Sequence, residues 1–175
     1  MKDSVAFVSP APIGARIGVI CLFLPILGVG SIALLDSPPA LNSLVLIVVC
    51  LVFAGTLLIG AAWRTKAYLT ITGEEVVIGF APLWRTRLSL NEIADVSVRT
   101  IDPYAQYRGW GIKGSSKAAA GRLYSAGGTH STVIRTTSQT TYLVAFGTLE
   151  TAQTAETELH RAKHRMHSAL GRGSM

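Results

Sequence analysis

Cysteine is scarce in this chain, and charge is missing where the chain is most apolar. The 175 residues include two cysteines, Cys21 and Cys50. Both stand inside apolar runs, where they read as small hydrophobes and not as a disulfide pair or metal ligands. No Asp, Glu, Lys or Arg occurs from Ile17 to Leu35 or from Leu41 to Trp63, which leaves no charged residue there for a proton or ion pathway. Neither Gly-x-Ser-x-Gly nor His-Glu-x-x-His occurs, so the common nucleophile and zinc-hydrolase signatures are missing. Glu74, Glu75, Glu92 and Asp102 are scattered over turns and form no acid/base pair. The reading is therefore non-enzymatic, with no catalytic residue, no metal and no cofactor expected.

The two uncharged runs dominate the N-terminal third. As helices they are about 28 and 34 Å long, each enough to span a hydrocarbon core of roughly 30 Å. Asp36, Ser37, Pro38 and Pro39 separate them. The expectation is a two-helix transmembrane hairpin over 17–63, with spans 17–35 and 41–63. Lys2, Arg16, Arg64 and Lys66 flank its outer ends and the connecting loop holds no basic residue, which predicts cytoplasmic termini for 1–16 and the C-terminal part. The first run is too long for a cleaved secretory signal. The predicted location is a cell membrane, multi-pass.

Beyond Trp63 the pattern changes. The stretch from Arg64 onward holds fourteen Lys or Arg against eight Asp or Glu. Such an excess suits a domain held beside an anionic leaflet, and the absence of a basic run interleaved with aromatics argues against the competing explanation, nucleic acid. Short alternating segments predict strands at 67–71, 76–80, 85–90, 94–101, 132–137 and 141–146, with a helical turn near Asn91. The stretch 102–131 reads as irregular. Leu149, Ala152, Ala155, Leu159, Ala162 and Met166 recur at three and four, which predicts an amphipathic helix to about Leu170, with Thr148 as N-cap and Glu150 in its first turn. A domain over 64–170 and a disordered tail at 171–175 complete the layout.

Two motifs invite chemistry. Gly109 to Gly114 fits G-x-G-x-x-G, but no strand precedes it and no βαβ unit surrounds it, so it reads as a turn with Trp110 plugging the core. His160, His164 and His167 share a helix face with Arg161, Lys163 and Arg165. The local positive charge opposes a metal cation, so the expectation is a solvated basic face open to lipid headgroups.

The segments Ile93–Val96, Asp102–Pro103 and Arg108–Gly109–Trp110–Gly111–Ile112, with a final helix from Thr148, resemble bacterial membrane proteins that carry a pleckstrin-homology-like (PH-like) domain after a short hairpin. That resemblance implies an α+β membrane protein. Its antiparallel β-barrel or bent sheet would be closed by a C-terminal amphipathic helix. The departures are the insertion 114–128 and the Ser138–Gln139 turn. The expected function is an integral membrane protein that presents a cytoplasmic domain for contact with a protein partner or for homo-oligomerisation. The alternative is anionic-lipid sensing through the C-terminal helix. Arg108, Trp110, Lys113, Arg161, Lys163 and Arg165 form the candidate interaction surface.

Overall fold

A computed structural model describes residues 4–14, 17 and 41–172. The chain divides into two compact units. One comprises Met1–Pro10 with Thr65–Met175, and the other Ala11–Arg64.

In the second unit, α1 (Leu41–Arg64) is a 24-residue helix whose one charged residue is Arg64. Val49, Val52, Phe53, Leu57, Ile59 and Trp63 are exposed on it. Among the described residues, no helix is long and apolar enough to cross a membrane. The expected transmembrane hairpin, the multi-pass membrane location and the cytoplasmic termini are corrected on that finding. Residues 18–35 of the first expected span lie outside the described residues.

The first unit is built from two sheets and a long helix. β1 (Val5–Pro10), β2 (Lys66–Thr72), β3 (Glu75–Ala81) and β4 (Trp84–Ser89) form a four-stranded antiparallel meander in that order. Period-two patterning explains it. Ala67, Leu69 and Ile71 are buried, and register sets them opposite the buried Phe80, Ile78 and Val76. A 3₁₀ turn (Leu90–Glu92), N-capped by Ser89, leads into the second sheet.

That sheet has five strands in the order β5 (Ile93–Thr100), β8 (His130–Thr136), β9 (Thr141–Phe146), β7 (Arg122–Ser125) and β6 (Gly111–Gly114). β7 and β9 run parallel and the other pairs antiparallel. The PH-like expectation of an antiparallel barrel is corrected here. Two separate sheets of four and five strands are present, one contains a parallel pair, and neither closes on itself.

Both faces of the five-stranded sheet are covered. Val96, Ile134, Thr132, Val144 and Tyr124 share one face by register, toward the meander and the helix α3 (Leu149–Arg172). The Tyr124 and Thr86 hydroxyls meet at 2.7 Å and join the sheets. Thr132 Oγ1 donates to the Ala152 carbonyl at 3.0 Å. Ala152, Ala155, Leu159 and Ala162 form the buried stripe of α3, and its three alanines let the helix sit close to β8. Thr148 Oγ1 accepts from the Thr151 amide and caps α3 as expected. The opposite face carries Leu123, Val133, Leu143 and Ala145, which cluster with Ile101 and Tyr107. The stretch read as irregular, 102–131, is thus largely a crossover from the β5 edge to the β6 edge that builds a second apolar layer.

Candidate functional site

The crossover begins with a short capped helix. Asp102 Oδ1 accepts from the Tyr104 and Ala105 amides at 2.9 and 3.0 Å, and Pro103 opens α2 (Pro103–Tyr107). Pro suits this position because its missing N–H would be unpaired there anyway. Arg108 closes α2 at φ 61, in the left-handed region, and Gly109 follows at φ 118. A left-handed residue followed by glycine ends the helix abruptly and turns the chain back. The turn delivers Trp110 beside Tyr104, with ring centroids 5.6 Å apart in an edge-on arrangement.

Tyr104 is 61% exposed and Trp110 half-buried. The core position expected for Trp110 belongs to Tyr107 instead. Its ring lies in the Ile101–Leu143 cluster and its hydroxyl donates to the Ala120 carbonyl. Burial raises the Tyr107 pKa above the usual phenol value, and the nearby Arg99 charge opposes that shift in part. Lys113 lies opposite Leu123 in β7, so it shares the sheet face that α2 covers. The turn thus brings Trp110 to Tyr104, with the exposed Arg108 at the turn itself and Lys113 on the sheet face that α2 covers. Tyr104 was missed from the sequence. The signal available was the run from Pro103 to Leu149, which contains Arg108, Lys113, Lys117, Arg122 and Arg135 and no acidic residue.

The other three candidate residues lie on α3 and do different things. Arg161 donates to Glu158 at 2.5 Å as an i,i+3 ion pair. Lys163 Nζ donates to the Ala94 carbonyl at 3.1 Å, where a bulge between Ile93 and Asp95 interrupts the β5–β8 ladder. Arg165 lines a groove of about 680 Å³ with Val5, Ile71, Glu74, Glu158 and Met166. The basic face of α3 is thus partly committed to intramolecular partners. His160, His164 and His167 are exposed, and the described residues hold no group of three or more His, Cys, Asp or Glu placed to bind a metal.

A second exposed apolar feature is the β3–β4 turn. It begins with the cis Ala81–Pro82 bond, and Leu83 and Trp84 there are 75% and 56% exposed.

No known protein family, no curated protein and no solved structure matches the chain.

Proposed function

We propose that the β-rich unit is a non-catalytic binding module that docks an acidic protein segment against Tyr104, Trp110, Arg108 and Lys113. The observation that carries this reading is the edge-on pair of the exposed Tyr104 and the half-buried Trp110, with Arg108 and Lys113 close by in the chain. Aromatic rings and arginine are the groups that most often dominate the energy of protein contacts. Cations around them favour a partner of opposite charge and repel basic ones. The acid-free run from Pro103 to Leu149 extends that preference over the whole crossover. Lipid sensing through α3 has weaker support, since Arg161 and Lys163 already have partners within the chain.

Fluorescence of the full chain tests the reading, with Trp63 and Trp84 changed to Phe so that Trp110 alone reports. The probe is a decapeptide of alternating Glu and Val, compared with its Lys and Val counterpart. The acidic peptide should shift the Trp110 emission saturably. The shift should weaken with salt and be lost in Arg108→Ala/Lys113→Ala. An emission that ignores the acidic peptide, or responds equally to both peptides, overturns the proposal.

A further inference from the structure

We propose that β1 is a homodimerisation edge, at which a second copy of this chain pairs antiparallel with residues Val5 to Ser9 across a two-fold axis. An open sheet edge offers a row of unpaired backbone donors and acceptors, and proteins normally guard it with charge, bulges or cover. The four strand edges of this unit can be compared. β4 carries the exposed Arg85 and Arg87. β5 is broken by its bulge, and the carbonyl exposed there is taken by Lys163. β6 is four residues long, bounded by Gly111 at φ 100 and Gly114 at φ 75, both outside extended geometry. β1 is different. Ser4 to Pro10 has no charged residue, and Val5 and Val8 are 37% and 45% exposed.

The choice of a second copy as occupant follows from symmetry. Two-fold pairing sets a strand against itself, so a charged edge meets its own charge, and like charges directly opposite are destabilising. An Arg85–Arg87 edge is excluded on that ground, whereas an uncharged one is self-compatible. Centring the axis on Phe7 keeps both copies' faces in register. Ala6 then lies opposite the partner's Val8, and Val5 opposite the partner's Ser9. Pro10, which has no amide donor, falls just outside this ladder. The result would be a continuous eight-stranded sheet across two chains.

The test is local, so association through any other surface cannot imitate it. In a full chain with Cys21 and Cys50 changed to Ser, Ala6→Cys and Val8→Cys are combined and oxidised. Both are exposed positions on the solvent side of the meander. Expected is rapid formation of a covalent dimer, far faster than in an Arg85→Cys control, with the melting temperature of the reduced form unchanged. Failure of the β1 pair to cross-link, or cross-linking no faster than the control, overturns the proposal.

Discussion

The Tyr107 hydroxyl donates to the Ala120 carbonyl and so ties the end of α2 to the far end of the loop that leads into β7. The two residues are thirteen positions apart in the chain. The same side chain fills the outer apolar layer, so one residue both packs the crossover and closes it. A phenolate could not donate this bond, and burial independently disfavours the charged form.

The pH dependence follows. With the folded pKa above the unfolded value of about 10, the folded state holds its proton where the unfolded state has lost it. The contribution is fully present below the unfolded pKa and falls as pH rises from there through the raised folded pKa. Denaturant melts between pH 8 and 12 should show an alkaline loss of stability that is smaller in Tyr107→Phe. At neutral pH this variant should lose about 1 kcal/mol, the worth of one hydrogen bond. An unchanged alkaline slope would place the titrating group elsewhere.

Gly128 sits at φ 98, and an added Cβ would lie 2.1 Å from the Phe146 carbonyl oxygen. The neighbour is backbone inside β9 and cannot step aside, and the left-handed region adds its own penalty. Gly128→Ala should cost about 3 kcal/mol. Gly73, in the exposed β2–β3 turn, has nothing within 4 Å of an added Cβ, and its Ala variant should stay within about 0.5 kcal/mol of the parent. Equal costs in a paired urea melt would sink the steric argument.

Alternation made the meander legible from Lys66 onward, because each strand has one wet face and one dry face. Ala152 to Ala162 likewise announced α3 by spacing. β1 escaped because Pro10, Pro12 and Gly14 discourage a helix without announcing a strand, and only its pairing with β2 reveals one. β6 and β7 escaped because Gly111–Gly114 and Arg122–Ser125 are four residues each, too short to show a period. Arg108, Trp110 and Lys113 were read together as neighbours in sequence, whereas Tyr104 meets Trp110 only through the turn at Arg108. Arg161, Lys163 and Arg165 looked like one basic face. A long-range bond to the Ala94 carbonyl sets Lys163 apart, and no sequence pattern announces that partner.

Trp110 offers a direct check on that point. A core plug would cost roughly 3–5 kcal/mol on truncation. The half-buried ring resting edge-on against Tyr104 should cost about 1 kcal/mol, the scale of an aromatic pair. Trp110→Ala should therefore melt close to the parent while losing the response to acidic peptide. A loss of several kcal/mol would return Trp110 to the core.

Lys163 and Arg161 stand two residues apart on the same helix, yet their neutralisation should differ in kind. Lys163→Met keeps most of the apolar stem but leaves the Ala94 carbonyl at the β5 bulge without its donor. A loss of about 1 kcal/mol is expected. Faster amide hydrogen exchange should accompany it near Ala94, because the guard on that edge is gone. Arg161→Gln removes only an i,i+3 pair whose arginine is 66% exposed. Such pairs contribute a few tenths of a kcal/mol and less in salt, so exchange in β5 should not change. If both substitutions left β5 exchange untouched, the Lys163–Ala94 bond would be incidental to the edge, and water would serve the bulge equally well.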